Sequence, residues 1–245
     1  AHNACPFAAK VGILGAIGID SAGNKLATLL ADNNIADDYL IRDDDHITSL
    51  KTCVIAGSQQ VVRFDQELVR SVSGAIEKKI MDHLSNSVGD YDCVIVADYA
   101  KGLLRSNLIV ERLRQLVKEG ILVLVDPHIS NLVEWRGMSV MKPNYIEACR
   151  FAELPILYGL GDEERLLQEQ QLLSTLEKKW GAQHLLITLG SRGILYAGLN
   201  GNRHTETTKA REAFDVSGAG DTVSALFSLA LSAGADCEYA VRIAN

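Results

Sequence analysis

Apolar residues follow two rhythms along this chain. Three short runs are almost wholly apolar and rich in β-branched residues: Cys93-Val94-Ile95-Val96-Ala97, Ile121-Leu122-Val123-Leu124-Val125 and Leu185-Leu186-Ile187-Thr188. Such runs, without polar alternation, predict strands buried on both faces, as a parallel sheet requires. Between the first two, residues 106–119 bring Leu108, Ile109, Leu113 and Val117 near one helical face. Before the third, residues 163–180 carry Leu166, Leu167, Leu172, Leu173 and Leu176 at helical spacing. Strand alternating with helix predicts an α/β fold, with a central, mainly parallel sheet flanked by helices.

Residues 37–67 follow a different pattern. Tyr39-Leu40-Ile41-Arg42, Leu50 to Ile55 and Gln60 to Asp65 read as successive strands, with Ala56-Gly57-Ser58 as a turn between the last two. With no helix between them, they predict a small antiparallel sheet projecting from the main one. No repeat, low-complexity linker or proline-rich boundary divides the chain, so one domain over residues 1–245 is expected. A projecting sheet with an open edge is also a pairing surface, and a homodimer through it is the expectation.

Composition narrows the classes. At 245 residues and 47% hydrophobic, the chain can bury a core without disulfide or metal staples. A net charge of -7 gives no electrostatic footprint for general nucleic-acid binding, although a nucleotide needs only a few local donors. No apolar run reaches membrane-spanning length. Cys5, Cys53, Cys93, Cys149 and Cys237 are odd in number and form no C-x-x-C pair, which predicts buried, reduced thiols and a cytoplasmic protein. The chain opens at Ala1 without Met and stops at Asn245 inside a helical pattern, so a domain incomplete at both ends is expected.

The strongest chemical signal is Asp215-Val216-Ser217-Gly218-Ala219-Gly220-Asp221-Thr222, followed by Val223, Leu226, Phe227 and Ala230 at helical spacing. Two glycines before a helix let its N–H groups and dipole converge on an anion. Asp221 in that position would repel a phosphate, and its presence makes sense if it takes a proton from a hydroxyl attacking that phosphate. The alternative is an ordinary turn in which Ser217 or Asp221 caps the helix.

This stretch resembles the Asp-x-x-Gly-Ala-Gly-Asp signature of the ribokinase-like (PfkB) carbohydrate kinases. The resemblance implies ATP as donor, a sugar hydroxyl as acceptor and Asp221 as general base, with Gly218, Ala219 and Gly220 forming the anion hole. Asn144 and Glu147 match the family's Asn-x-x-Glu motif, which implies an indirect, water-mediated hold on Mg2+ near the phosphates. The same pair also reads as a capping box, and both roles can hold at once. Thr188-Leu189-Gly190-Ser191-Arg192-Gly193 is similar to the family's nucleotide loop, implying that Thr188, Gly190, Gly193 and Asn144 line the nucleotide. Gly15 to Gly23 resembles a family turn in which Gly18 and Asp20 have structural roles. Asn3 matches the Asn of a sugar-contacting segment whose earlier residues are expected to be missing.

Two further stretches narrow the branch. Lys51 to Asp65 is similar to the lid strands of D-glycero-D-manno-heptose 7-phosphate kinases, and Asp98-Tyr99-Ala100-Lys101-Gly102 resembles a turn of the same branch. The implied substrate is a sugar phosphate phosphorylated on its anomeric hydroxyl, with Arg63 and Lys101 as cations for the phosphate already present. The chain departs from the branch at Cys53, where Arg is usual, and at His128, where Lys follows the Asp-Pro. Two alternatives stay open: another sugar kinase of this fold, such as a fructokinase or ribokinase, and a catalytically inactive nucleotide-binding relative. Many heptose kinases are fused to an adenylyltransferase, but this sequence holds no His-x-Gly-His motif.

Overall fold

The short strands early in the chain pair in parallel and not as a meander. The computed structural model of the protein describes residues 1–7, 10–57, 59–198, 201–208 and 218–245. The chain divides into two units, Ala1–Ser87 with Lys101–Ile109, and Val88–Ala100 with Val110–Asn245.

In the first unit, β1 (Val11–Gly12) and β2 (Gly15–Gly18) precede helix α1 (Ser21–Asp32), followed by β3 (Ile35–Ala36) and β4 (Leu40–Asp43). β1 pairs with β3 and β2 with β4, both in parallel. Of the strands read at residues 37–67, the first falls outside the small antiparallel sheet: β4 belongs to the β2 pair, because the α1 crossover returns the chain parallel to itself. In this unit β5 (Leu50–Ala56) and β6 (Gln59–Gln66) form an antiparallel hairpin. Every residue of β5 is exposed. Helix α2 (Gly74–Asn86) follows, capped by Ser73 and buried along Ile76, Ile80 and Leu84.

Gly18 and Asp20 have the structural roles expected of them. Asp20 accepts from the Gly23 amide at 2.7 Å, capping α1, and from the Thr48 amide at 2.9 Å. A Cβ on Gly18 would lie 2.4 Å from the His46 carbonyl oxygen, so only glycine allows the approach. The Thr48 and Gly23 amides stabilise the ionised Asp20 carboxylate and hold its pKa below the ordinary 3.8. Its contribution to stability is therefore complete above about pH 4 and is lost as pH falls through the lowered folded-state value. Thermal scans should show Asp20→Ala melting below wild type at pH 7, with the gap closing below about pH 4. A gap unchanged at pH 3 would contradict the cap's ionisation.

The second unit is built on one six-stranded sheet. Its elements are β7 (Cys93–Ala97), α3 (Asn107–Lys118), β8 (Leu122–Asp126), β9 (Val140–Met141), α4 (Tyr145–Phe151) and α5 (Asp162–Trp180). They continue with β10 (His184–Thr188), β11 (Ile194–Gly198), β12 (Arg203–Glu206), α6 (Ala219–Ser232) and α7 (Cys237–Ala244). The order is β12-β11-β10-β9-β8-β7, parallel from β7 to β10 and antiparallel at β11 and β12. β8 and β10 are buried as expected, but β7 ends this sheet and only its Val96 is buried. Leu172, Leu173 and Leu176 of α5 are buried, whereas Leu166 and Leu167 on its first turns are exposed.

Helices α6 and α7 pack Val223, Phe227, Ala230, Ala240 and Val241 onto Leu124, Val140, Leu186, Ile194 and Tyr196 of the sheet. Burial of a side chain such as Phe227 contributes roughly 1.5–3 kcal/mol, so the α6 axis is fixed by its apolar face. All five cysteines are free thiols, but only Cys149 is buried and Cys53 is exposed on the hairpin, which corrects the expectation of buried thiols. No helix among the described residues is long and apolar enough to cross a membrane.

Candidate active site at the carboxyl ends of the parallel strands

Four parallel strands end at one edge of the second unit, where ligands of open α/β sheets bind. The residues that follow them directly are Asp98 after β7, Pro127 after β8, Lys142 after β9 and Leu189 after β10. Asp126 closes β8 and Thr188 closes β10. Asp98 is buried and anchored: it accepts from the Ala100 amide at 2.8 Å and from the Asn131 side-chain amide at 2.9 and 3.1 Å. Asp126 pairs with Lys142 at 2.8 Å.

Helix α6 opens at this edge. Gly218, its N-cap residue, has φ +79°, the left-handed region where glycine carries no Cβ penalty. Among the described residues no side chain caps the helix, and Asp221 stands at its third residue. A cap role for Asp221 is thereby excluded, while Asp215, Val216 and Ser217 of the same motif lie outside the described residues. The first-turn N–H groups of Ala219, Gly220 and Asp221 have no partner within the helix, which makes this end attractive to an anion. Lys142 reaches the same turn, since a Cβ on Gly220 would stand 3.2 Å from its Nζ.

The ionisable groups of this edge feel one another. Burial pushes the Asp126 carboxyl up, Lys142 pulls it down, and the charges of Asp221 and Asp98 push it up again. Burial raises the Tyr99 hydroxyl, with smaller contributions from Asp221 and Asp126. Burial also raises Glu147, opposed by the Asn144 amide, raised further by Asp126 and opposed by Lys142 and His128. Asp98, Tyr99, Asp126, His128, Lys142, Glu147 and Asp221 therefore share one electrostatic environment.

Asn144 and Glu147 form a reciprocal capping box on α4, each side chain accepting from the other's amide at 2.9 Å. An isolated parallel bridge sets Asn144 beside Thr188, so the Asn-x-x-Glu helix and the loop after β10 meet. That loop turns through Gly190 at φ +63° and Gly193 at φ +100°, and the Leu189 amide donates to the Gly193 carbonyl at 2.8 Å. Arg192 lies over the Tyr145 ring, 5.5 Å from its centre, and pairs with the buried Glu169 at 3.1 Å. Among the described residues no three His, Cys, Asp or Glu side chains are grouped to form a metal cage. The side-chain oxygens of Asn144 and Glu147, one turn of α4 apart, are of the kind that would hold a hydrated divalent ion through water.

The substrate candidates lie in the first unit. Arg63 donates two hydrogen bonds to Asp65, both 2.7 Å, a pairing set by two residues on the same face of β6. Across the hairpin, Cys53 faces Arg63 and Lys51 faces Asp65. Lys101 pairs with Glu67 at 2.5 Å. Asn3 sits in a short 3-10 turn, His2–Ala4. Both expected cations are thus already neutralised by carboxylates, which the reading of single basic residues missed. An acidic residue two positions from Arg63 was the signal for the first pair; nothing local marked Glu67 for Lys101.

Comparison with known proteins bears directly on this arrangement. The profile of the pfkB family carbohydrate kinases matches residues 1–245. The bifunctional protein HldE of Sulfurimonas denitrificans is 34% identical over 244 residues, covering 100% of this chain and 49% of that protein. HldE of Citrifermentans bemidjiense is 35% identical over 246 residues, with the same coverage. The chain thus spans about half the length of the curated relatives it matches. Among solved structures, Arabidopsis thaliana ribokinase complexed with ribose and ATP aligns with a TM-score of 0.75 at 20% identity, over 100% of this chain and 76% of that one. Phosphofructokinase-2 from Escherichia coli also aligns at 0.75, with 19% identity over 100% and 77%. At these identities the structural likeness shows a ribokinase-like fold.

Proposed function

The chain belongs to the pfkB family of carbohydrate kinases, and from that premise we propose that it transfers the γ-phosphoryl group of ATP to the anomeric hydroxyl of a heptose 7-phosphate. The observation that carries the transfer chemistry is the entrance of α6, where Asp221 stands in the first turn among the N–H groups at the helix N-terminus. Asp221 accepts the proton of the attacking hydroxyl, and the N–H groups from Gly218 to Gly220 stabilise charge on the transferring phosphoryl. Thr188, Gly190, Gly193 and Asn144 bind the nucleotide, and the α4–β10 bridge supports their grouping. Magnesium, when bound through water to Asn144 and Glu147, supplies positive charge to the phosphates.

The heptose phosphate is assigned to the first unit, with Asn3 toward the sugar and Arg63 and Lys101 toward its phosphate. The similarity to HldE proteins supports this branch. The ion pairs to Asp65 and Glu67 favour a second reading, a kinase of an unphosphorylated sugar, because a bound phosphate must compete with both carboxylates. A coupled ADP-release assay over sugars and sugar phosphates separates the two. Turnover is expected on the heptose 7-phosphate, and Arg63→Ala and Lys101→Ala should each raise its KM by about 10- to 100-fold. Preferential turnover of ribose or fructose would select the second reading. ATP binding without turnover on any sugar would select an inactive relative.

A further inference from the structure

The carboxylates around the α6 entrance are opposed by a buried cation that none of the motif matches singled out. We infer that Lys142 is a positioning residue for the nucleotide: held by Asp126 against the Gly220 turn, its ammonium group offsets the surrounding acids and admits the phosphates. The inference rests on the kinase reading above. Lys142 is 3% exposed, and lysine is almost never buried so far unless paired. Its carboxylate partner is Asp126, at 2.8 Å, and its backbone is fixed by the bond from the Lys142 amide to the Val125 carbonyl, also 2.8 Å. The apolar stem follows Val140 and Met141, both wholly buried, so the residue continues the core up to the turn.

The placement of Nζ gives the pair more than a structural meaning. At 3.2 Å from where a Gly220 Cβ would stand, the ammonium lies against the second residue of α6, at the end a phosphate would approach. Asp98, Asp126, Glu147 and Asp221 otherwise place four carboxylates in this environment, with Tyr99 neutral and His128 alongside. Like charges in one environment oppose a triphosphate where water is partly excluded. One buried cation cancels the charge of one carboxylate and so lowers the repulsion that a phosphate would meet at the N-terminus of α6. A Cβ at Gly220 would make a tight contact with the ammonium.

The test compares wild type, Lys142→Met and the double variant Lys142→Met/Asp126→Asn, with ATP in magnesium buffer as calorimetric probe and steady-state kinetics alongside. Lys142→Met keeps the stem and removes the charge; it should weaken ATP binding at least tenfold and raise KM for ATP with little change in KM for the sugar substrate. The double variant restores the charge balance, and replacing a buried ion pair by neutral groups is often tolerated. It should bind ATP within about threefold of wild type, because the net charge at the α6 entrance is then unchanged. An affinity of Lys142→Met within twofold of wild type overturns the inference, as does a double variant no tighter than the single one. If Lys142→Met does not fold, the double variant decides alone, and tenfold weaker binding overturns the inference. Wild-type turnover with either overturning result removes the role of Lys142 and leaves the kinase reading standing. Absence of ATP binding by wild type overturns both.

Discussion

Asp221→Asn is expected to lower kcat by roughly 10²–10⁴-fold, the range for losing a positioned general base, while ATP affinity is retained or improved. Asparagine keeps the size and the polar oxygen but cannot take a proton from an attacking hydroxyl. Removing a negative charge beside the phosphate site also removes repulsion, so binding and turnover should separate. A residue important only for the helix would behave otherwise. Asp221 is the third residue of α6 and does not cap that helix among the described residues, so the substitution leaves no described cap unmade. Its packing is fixed by Val223, Phe227 and Ala230, further along the helix. Calorimetry with ATP beside single-turnover kinetics is the deciding pair of measurements. Near-wild-type turnover would take Asp221 out of the role.

Gly193→Ala is expected to be the most damaging single-methyl change in the proposed nucleotide loop. Gly193 has φ +100° and ψ −138°, a region essentially confined to glycine. An added Cβ would stand 1.9 Å from the Glu206 carbonyl oxygen, far inside van der Waals contact, and that oxygen belongs to backbone that cannot step aside cheaply. The pairing of Ile194 with Glu206 begins at the next residue, so relief of the clash opens the β11–β12 ladder. A cost of about 3 kcal/mol corresponds to a Tm lower by ~6–12 °C for a chain of this size. Gly190 in the same loop has open space around its Cα, so Gly190→Ala bears only the positive-φ penalty, about 1 kcal/mol. Differential scanning calorimetry of the two variants checks the contrast. Equal Tm losses would show that the β11–β12 contact is softer than its geometry states.

Much of the fold was legible in the chain because the signals are local. The runs at residues 93–97, 121–125 and 185–188 fall on β7, β8 and β10, and residues 163–180 fall on α5. Glycines and acids of the Gly218–Asp221 stretch mark an unusual helix entrance whatever surrounds it. The Asn144–Glu147 spacing marks a capping box for the same reason, one turn of helix deep. β9 was missed because a two-residue strand carries no periodicity, although it is wholly buried. β4 looked like a member of the hairpin set because strand propensity does not name a partner.

What the sequence determined by itself was the inventory: an α/β chain, a candidate phosphate turn, a candidate base, and candidate cations. The tertiary structure decided which charges meet. It gave Arg63 to Asp65 and Lys101 to Glu67, so that neither stands free for a phosphate. It also carried Lys142 from the end of β9 to Asp126 and to the backbone of Gly220, far away in the chain. The reason is physical. Helix and strand patterns arise from neighbours a few residues apart, but an ion pair depends on distance in space and on local exclusion of water. Both are set only when the strands have chosen their order.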